Sequence, residues 1–575
     1  MQFLKTISLL MVRFLLPLLL LTLSVHAQFN SMPDYPKGYF RNPLNVAIDL
    51  SGNFGELRPN HYHMGLDLKT LRRENLQVYA AAEGFISRVK IEPSGFGRAI
   101  YISHPNGLTT VYCHLNDFFP ELENWVKQQQ YEKESWALNI ELSASLFPVK
   151  KGSFIAFSGN TGGSQAPHLH FEIRRTSDDV NLNPMLFGFE LADNTRPSIL
   201  RLAVYDRTKS IYEQSPRLIP VTSKGNGIYT TAPITVSVPK VSLAISAFDT
   251  HTGSSNQNGI FEAILLNNDS AVVGFRMDQI SYDATRYLNA HIDYATKSRG
   301  GPFLQHLTEL PGYLNSIYHR YSGDGVIDLS DGQPHNLAIV ARDAYGNSST
   351  VTTVLRYNGS RVQHNDPAGK KFYPLMVDVF ESEDCEFIIG ERTLYDSVTI
   401  GHQKKAQSPG AISAIHTIGS LSVPLQDSMI VRIKPLNPVP PADQDRVVML
   451  RTGGSRKDVQ KVSWQHDWAM ARFRDFGSFA LVTDHEPPVI QPVGFGPGSN
   501  LAAASRLAFT VSDNLGRTKV LRTELDGKWL RFSNDKGRTY IYKFDELCGP
   551  GAHTLKITAQ DEAGNITERE INFVR

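Results

Sequence analysis

The sequence predicts a mainly β, multidomain protein, and three observations support this fold class. The chain has 575 residues, which at about 150 residues per domain suggests roughly four units. Its 43 Gly, 32 Pro and 10% aromatic residues are typical of a turn-rich folded protein. Short stretches of alternating apolar and polar residues end in glycine turns, a pattern that predicts antiparallel strands. The near balance of 58 basic and 57 acidic residues argues against a dedicated nucleic-acid binder.

The amino terminus carries the features of a secretory signal peptide. Lys5 and Arg13 precede an apolar run over residues 14–23, and small residues at Val25 and Ala27 follow at the cleavage positions. The run is too short to cross a hydrocarbon core of about 30 Å, although an uncleaved anchor is the alternative. We therefore expect residues 1–27 to be removed and the protein to be exported, periplasmic or extracellular, without stable membrane insertion. The three scattered cysteines do not make a disulfide framework.

Residues 28–195 are predicted to form the first folded domain. Its β-type runs are expected to pair in one antiparallel sheet; they cover residues 77–82, 84–90, 99–104 and 108–114. The segment 116–147 interrupts them, and apolar residues at helical spacing predict a helix over residues 122–133. Because this insertion directly follows a strand, it is expected either to border a groove or to pack between domains.

Beyond residue 195 a strand that runs into an acidic glycine turn recurs in pairs. The strands end at Asp249, Asp343, Asp513 and Asp561. This pattern predicts immunoglobulin-like β-sandwiches over residues 196–358 and 487–575. Residues 370–485 are also strand-rich but lack the signature, which makes about three β-sandwich-like domains in all. Turn chemistry alone accounts for the Asp-x-x-Gly-Asn turns, and calcium binding is the alternative interpretation.

Two short motifs in the first domain carry residues suited to metal chemistry. His63 and Asp67 lie four residues apart, whereas His168 and His170 alternate on one face of a predicted strand. A catalytic zinc ion usually takes three protein ligands and leaves a fourth position for water, and imidazole and carboxylate are suitable donors. His63, Asp67 and His170 would make that set.

Amide hydrolysis by a metal-activated water also needs a proton carrier and a donor to the developing oxyanion. His114 and His168 are the candidates for these roles. His114 ends a predicted strand, on which Tyr112 is expected to share its face while Cys113 points the other way. Cys113 is interpreted as a packed thiol, because the mechanism already has its nucleophile in water.

At these residues the chain resembles the lysostaphin-type peptidoglycan metallopeptidases, the LytM-domain family. The resemblance covers about residues 50–175 and rests on ordered blocks: His63-Met-Gly-Leu-Asp67, Tyr112-Cys-His114-Leu115, Val149-Lys-Lys-Gly152, Gly159-Asn-Thr-Gly162 and His168-Leu-His-Phe-Glu172. It implies Zn²⁺ as cofactor on His63, Asp67 and His170, with His114 and His168 as catalytic residues. It also implies a small antiparallel sheet with a groove over the metal, and peptide cross-links of bacterial cell walls as substrate. The insertion at 116–147 departs from the family, where this connection is shorter.

Three other residues of the first domain are expected to have no direct catalytic role. His61 could compete as a ligand but is ranked as a rim residue, His104 is expected in a hairpin turn, and Glu172 is expected to be structural or to orient a ligand. The predicted function is an exported zinc metalloendopeptidase acting on peptidoglycan. The alternatives are a non-enzymatic regulator of cell-wall hydrolases and a wall-binding or adhesive β-sandwich protein.

Overall fold

A computed structural model of the chain describes residues 34–359, 367–534, 536–537 and 539–575. The predicted signal peptide lies outside the described residues. The described part is built mainly from antiparallel sheets with few helices, so the predicted fold class is confirmed. No helix in the described ranges is both long and apolar enough to cross a bilayer.

A ten-stranded, antiparallel sheet forms the centre of the first region. Its main path runs, in spatial order, through Leu50–Gly52, Leu66–Lys69, His168–Arg175, Leu108–Cys113, Arg98–Ser103, Gly84–Ile91 and Leu138–Glu141. Three short strands extend it at its sides, Pro148–Val149, Asn181–Leu182 and Gln279–Ile280. Leu57–Arg58 and His61–Tyr62 form a separate two-stranded ribbon beside it.

The strand His168–Arg175 occupies the middle of this sheet. It pairs with Leu66–Lys69 on one side, where His170 lies opposite Asp67, and with Leu108–Cys113 on the other. Leu169 and Phe171 are fully buried in the core below the sheet. Because side chains alternate along a strand, His168 and His170 lie together on the opposite face, as predicted.

A second, three-stranded sheet corrects one expectation. Gln77–Tyr79, Phe154–Ser158 and Leu115–Phe118 pair with one another and not with the larger sheet. The prediction of a single sheet was therefore wrong for the run beginning at residue 77. Local alternation predicts a strand, but strand pairing over such distances in sequence depends on tertiary packing that alternation does not encode.

The inserted segment contains the predicted helix, at Pro120–Glu132. Proline at the helix start and two glutamates in the first turn, Glu121 and Glu123, suit a helix amino terminus. Leu122, Val126 and Gln130, one turn apart, form its buried face. A short 3₁₀ helix at Pro184–Phe187 closes the region.

The next region consists of two sheets that enclose one core. The five-stranded sheet contains Arg217–Pro220, Ser198–Asp206, Lys240–Phe248, Gln305–His306 and Ile327–Asp328. The eight-stranded sheet contains Thr222–Gly225, Ile228–Thr230, Ile234–Val236, Ser348–Tyr357, His335–Arg342, Glu262–Asn267, Ser270–Arg276 and Tyr318–Arg320. Its short helices are Ile211–Glu213, Tyr282–Tyr287, Leu288–His291 and Tyr294–Ser298. We call this unit the first sandwich.

The middle sandwich follows, again with two facing five-stranded sheets around one core. One sheet contains Asp378–Glu381, Cys385–Ile389, Met429–Ile433, Trp468–Phe473 and Ser463–Gln465, and the other His402–Lys405, Ile415–Ile418, Gly477–Thr483, Val447–Gly453 and Arg456–Lys461. Lys370–Phe372 pairs with Val398–Ile400 beside them, and Pro441–Gln444 is helical.

The last sandwich has a three-stranded and a five-stranded sheet around its own core. The smaller sheet contains Val489–Pro492, Arg506–Ser512 and Thr539–Lys543, and the larger Ser499–Asn500, Ile566–Val574, Ala552–Asp561, Thr518–Leu525 and Lys528–Trp529. The four larger core clusters thus accompany the four sets of sheets, while the division of the chain at the predicted boundaries stays a prediction.

The first region and the first sandwich share core residues and a sheet. Phe54, Tyr62 and Met64 belong to the core cluster of the first sandwich although they precede it by more than a hundred residues. Asn181–Leu182 pairs with Gln279–Ile280, so one sheet continues across the junction. Side chains of the first sandwich can therefore support residues of the first region.

Candidate metal centre

Three side chains converge on one point above the central strand. His63 Nε2 lies 3.0 Å from Asp67 Oδ1 and 3.0 Å from His170 Nδ1, and His170 Nδ1 lies 2.9 Å from Asp67 Oδ1. All three residues are buried. Three potential donor atoms of a metal ion, supplied by segments more than a hundred residues apart, thus face one another at nearly equal distances.

The sheet explains why the first motif contains a glycine between its histidine and its aspartate. A Cβ atom at Gly65 would lie 3.0 Å from His170 Nε2 and closer still to the Phe171 carbonyl oxygen. Real Cβ atoms do not approach so closely, because atoms of the two strands would overlap. Gly65 therefore allows the segment that carries His63 and Asp67 to pack directly against the strand that carries His170.

Each histidine of the three potential donors is oriented through its other ring nitrogen. His63 Nδ1 lies 2.7 Å from the Asn53 carbonyl oxygen, which only accepts, so Nδ1 carries the proton. His170 Nε2 lies 2.9 Å from Glu172 Oε1 in the same way. His63 Nε2 and His170 Nδ1 consequently face the Asp67 carboxylate and each other, an arrangement that a bound cation would satisfy.

Burial and mutual contacts shift the pKa values of all three potential donors. Burial lowers the pKa of His63 to about 4. Burial alone would lower the pKa of His170 as well, but hydrogen bonds to Asp67 and Glu172 raise it to about 9. Burial opposes ionisation of Asp67, yet the surrounding histidines hold its pKa well below the usual range. Arg58 holds the second oxygen of this carboxylate at 2.5 Å.

The predicted catalytic histidines lie beside the three donors. The rings of His114 and His168 are 4.8 Å apart, and His168 Nε2 lies 3.3 Å from Asp67 Oδ1. His114 Nδ1 donates to the Thr161 carbonyl oxygen at 2.9 Å, and His168 Nδ1 to that of Ala166 at 2.8 Å. Both rings therefore direct Nε2 towards the cluster. Burial, with the neighbouring histidines, lowers the pKa of His114 to about 3 and keeps its ring neutral.

The backbone at His114 departs from strand alternation. Its φ of 60° is in the left-handed region, which few non-glycine residues adopt. Tyr112 lies in the core, with its hydroxyl accepting from the Ala81 amide. The expectation that His114 shares the Tyr112 face was therefore wrong, because the left-handed turn rotates His114 to the opposite, site-bearing side of the sheet.

Three other predicted roles agree with the structure. Cys113 is fully buried, and burial raises its pKa well above the usual range, as a packed thiol requires. His61 is exposed, with Nδ1 on the Pro59 carbonyl oxygen, at the rim. His104 is a buried turn residue that bonds the Glu83 carbonyl oxygen and Thr110. None of them contributes a donor to the cluster.

The surroundings of the site include groups that motif spacing did not identify. The Tyr282 hydroxyl, from the first sandwich, donates to Glu172 Oε1 at 2.5 Å, and Arg174 binds the other oxygen of Glu172. Asn53 exchanges two hydrogen bonds with the backbone of Gly259. The first sandwich thus supports both histidines of the cluster, His170 through Tyr282 and Glu172 and His63 through Gly259 and Asn53.

The donor set fits zinc. Two imidazoles and one carboxylate are typical ligands of a catalytic zinc ion, whose bonds of about 2.0–2.1 Å place neighbouring ligand atoms roughly 3.3 Å apart in a tetrahedron. The separations of 2.9–3.0 Å lie close to that value. His114 and His168 flank the same centre. The arrangement can therefore hold one zinc ion with imidazoles beside its remaining position.

Comparison with known proteins agrees with this chemistry. Residues 61–131 match peptidase family M23, and residues 371–484 match the Zu5-like domain. A Haemophilus influenzae protein described as an uncharacterized metalloprotease is 32% identical over 154 residues, which are 25% of this chain and 26% of that protein. The DD-carboxypeptidase/endopeptidase Mpg of Neisseria meningitidis serogroup B is 32% identical over 150 residues, 25% of this chain and 29% of Mpg. The chain thus spans about a quarter of the length of these relatives.

Among solved structures, the catalytic domain of lysostaphin from Staphylococcus simulans is 24% identical to this chain. The match covers 27% of this chain and 91% of the lysostaphin domain, with a TM-score of 0.17. The site and the sequence matches together define a metallopeptidase domain. The chain carries a domain of peptidase family M23, the LytM type, whose members depend on zinc.

Proposed function

We propose that the protein is an exported zinc metalloendopeptidase that hydrolyses peptide cross-links of bacterial peptidoglycan. The observation that carries this proposal is the convergence of His63, Asp67 and His170 within about 3 Å of one another, with His114 and His168 directed at the same centre. The match to family M23 and the description of the Neisseria relative as a DD-carboxypeptidase/endopeptidase support the substrate class. The predicted signal peptide supports export.

The residues of the chain divide the chemistry between them. His63, Asp67 and His170 would hold the zinc ion, which when bound supplies a Lewis acid and lowers the pKa of water from about 15.7 towards 7. His114 is neutral, with Nδ1 fixed as donor by Thr161, so its Nε2 can accept a proton at the reacting centre. His168 presents Nε2 from the other side and is assigned to proton transfer or oxyanion stabilisation.

Purified sacculi provide the direct test. The chain without residues 1–27 is incubated with sacculi in buffer, with a chelator, and with a chelator followed by excess zinc, and new amino and carboxyl termini are identified by mass spectrometry. We expect peptide release that the chelator abolishes and zinc restores. Zinc-saturated protein that releases no peptides would refute the enzyme and favour the alternative, a regulator of other wall hydrolases. The complete set of five residues argues against that alternative.

The first sandwich is proposed to position a zinc ligand through Tyr282. Because Tyr282 and His170 share Glu172 Oε1, Tyr282→Phe leaves Glu172 less firmly oriented. Loss of such an outer contact typically weakens metal binding about 10–100-fold. We expect the zinc affinity of Tyr282→Phe, measured by competition with a fluorescent chelator, to fall by this factor. The change in kcat should be smaller once zinc saturates the site.

Tyr287→Phe is the matched control, because Tyr287 lies on the same 3₁₀ helix but its ring packs against Tyr313 and Tyr395. It should leave zinc affinity unchanged. Equal zinc affinities of the wild type and Tyr282→Phe would show that Glu172 needs no support from the first sandwich.

We also propose that the last sandwich restricts access to the site. It docks on the inserted helix, where Trp529 packs on Tyr131 at 5.1 Å and Arg531 donates to Gln130 at 2.9 Å. In the same sandwich, Lys536 Nζ donates to the Ser164 carbonyl oxygen of the first region at 2.6 Å. The same loop holds His168, through the Ala166 carbonyl oxygen. The insertion therefore contacts the last sandwich, which reaches the edge of the site. The insertion would thus both pack between domains and border the groove, the two roles expected of it.

The double variant Trp529→Ala, Arg531→Ala tests this restriction. An aromatic pair stabilises a contact by about 0.5–1.5 kcal/mol beyond its buried area. Its loss should raise the fraction of molecules in which the last sandwich has left the inserted helix roughly two- to tenfold. We expect faster cleavage of intact sacculi, with little change for a short soluble peptide. Trp468→Ala, in the middle sandwich, removes an indole that packs on Arg432 and Lys434 and serves as control. Equal sacculus cleavage by both variants and the wild type would contradict the proposed restriction.

A further inference from the structure

Two groups of three aspartates lie outside the peptidase site. In each group the carboxylate oxygens approach within 4.8 Å of one another. The first acidic cluster consists of Asp193, Asp249 and Asp343, and the second acidic cluster of Asp484, Asp513 and Asp561. Each combines one residue from the linker before a sandwich, one from the end of a strand, and the first residue of an Asp-x-x-Gly-Asn turn. The first and the last sandwich thus carry the same arrangement at the same place.

The same hydrogen bonds hold both clusters together. Asn347 donates from its amide nitrogen Nδ2 to Asp343 Oδ2 and to the carbonyl oxygen of the linker residue Asp193. In the last sandwich, Asn565 donates in the same way to Asp561 Oδ2 and to the carbonyl oxygen of Asp484. The asparagine of each turn therefore ties the linker to the turn.

The linker aspartates also match in detail. Asp193 Oδ1 accepts from the Thr195 amide, and Asp484 Oδ1 from the Glu486 amide, each two residues further along. One oxygen of each carboxylate is thus committed to the linker backbone, and the other is left for the cluster.

Four carboxylate oxygens in corresponding positions lack a hydrogen bond. Within the described part of the chain, Oδ2 of Asp193 and Asp484 and Oδ1 of Asp249 and Asp513 are shielded from solvent and have no partner. Asp249 and Asp484 are each only 3% exposed. A buried carboxylate oxygen without a partner is costly, and its occurrence at equivalent positions of two sandwiches indicates a ligand that both clusters share.

The electrostatics agree with a missing positive charge. Burial, together with the neighbouring Asp343 and Asp193, raises the pKa of Asp249 to about 7. Burial likewise raises the pKa of Asp513, beside Asp484 and Asp561. Among the described residues, no lysine or arginine contributes to these two pKa shifts.

We propose that each acidic cluster binds one calcium ion, so that the protein carries two Ca²⁺ sites, one at the entry to the first sandwich and one at the entry to the last. Calcium prefers carboxylate and carbonyl oxygens at 2.3–2.6 Å, and two oxygens on one ion lie at most about 5 Å apart, which agrees with the separations within 4.8 Å. The clusters offer no nitrogen or sulfur donor, unlike the zinc centre. Turn chemistry alone does not explain the unpartnered oxygens.

The position of these sites gives them a structural consequence. Each ion would join a linker to two turns of the sandwich that follows, and would fix the angle at which that sandwich leaves its predecessor. In the first sandwich, Asp249 pairs through its backbone with Asn258, next to Gly259, which bonds Asn53 beside the zinc ligand His63. Calcium at the first acidic cluster would thus stiffen the loop that supports this ligand.

Calcium binding is measured on the zinc-saturated chain after exhaustive dialysis against calcium-free buffer. Equilibrium dialysis with ⁴⁵Ca²⁺ up to about 10 mM, beyond the range typical of extracellular calcium modules, should reach two ions per chain. Calcium should also raise the unfolding temperature, because a ligand that binds only the folded state stabilises it.

Isosteric variants separate the two sites. Asp249→Asn and Asp513→Asn should each bind one ion, and the double variant none, whereas Asp269→Asn, at an exposed hairpin turn, should still bind two. Without calcium the double variant should unfold at a temperature equal to or above that of the wild type, because it loses like-charge repulsion. With calcium the order should reverse. Absence of saturable binding to the wild type, or two ions still bound to the double variant, would overturn the proposal whatever the outcome with sacculi.

Discussion

His63→Ala is expected to abolish zinc binding at the centre and to slow peptidoglycan hydrolysis by about 10³-fold or more. A metal ion contributes several kcal/mol to stabilising the transition state, and each 1.4 kcal/mol is tenfold in rate. The neighbouring His61 is an exposed residue whose Nδ1 bonds the Pro59 carbonyl oxygen, and we do not expect it to replace His63. Zinc content by mass spectrometry of the purified protein and the rate of peptide release from sacculi measure the two effects.

His61→Ala is the matched control for this variant. It also removes an imidazole, but from an exposed residue that precedes His63 by two positions. It should retain one zinc ion and the wild-type rate. If the His63→Ala chain kept its zinc while the His61→Ala chain lost it, the assignment of ligands in the first motif would be wrong. Circular dichroism of both variants excludes a loss of fold as the cause.

The convergence of the three proposed ligands could be expected from the sequence because local spacing carries part of its geometry. Strand alternation places His168 and His170 on one face, and four residues separate His63 from Asp67 within a single turn and strand. Neither pattern depends on how distant segments pack. The structure brings these motifs together as the spacing suggests, whereas their roles in catalysis await the experiments described.

The supports of the site could not be predicted in this way. Tyr282 and Gly259 belong to the first sandwich, and no motif connects them with Glu172 or Asn53 in the sequence. Their contacts result from a shared core between two regions, in which Phe54 and neighbouring residues are buried among residues of the sandwich. Such packing depends on shape complementarity over long sequence separations, and periodicity does not report it.

The insertion and the acidic turns illustrate the same limit. Helical spacing predicted the helix at Pro120–Glu132 to within two residues. The sequence of the helix does not indicate that the last sandwich packs against it. The Asp-x-x-Gly-Asn turns alone are compatible with ordinary turn chemistry. Folding brings the linker residues Asp193 and Asp484 to these turns, and this convergence, which the turn sequence does not report, is what suggests a cation site.

His114→Ala should keep the zinc ion and yet lose about 10²–10⁴-fold in kcat, the range that a positioned acid or base contributes. The reason is the separation of roles around the centre. His114 is held by Thr161 and not by the three donor atoms, so its removal leaves the metal ligands and their hydrogen bonds in place. Zinc content equal to that of the wild type, together with a loss confined to kcat, would distinguish this variant from His63→Ala.

Cys113→Ala provides the control from the adjacent position. Cys113 is fully buried in a small cluster with Ala99, Tyr101 and Val111, so truncation should lower the free energy of unfolding by about 1 kcal/mol and leave kcat unchanged. An inactive but folded and zinc-bound Cys113→Ala chain would mean that the thiol, and not water, is the nucleophile. Full activity of His114→Ala would remove the proton carrier from the mechanism. Because Cys113 is packed among apolar side chains whereas His114 lies beside His168 and His170, comparison of the two variants separates an effect on packing from an effect on chemistry.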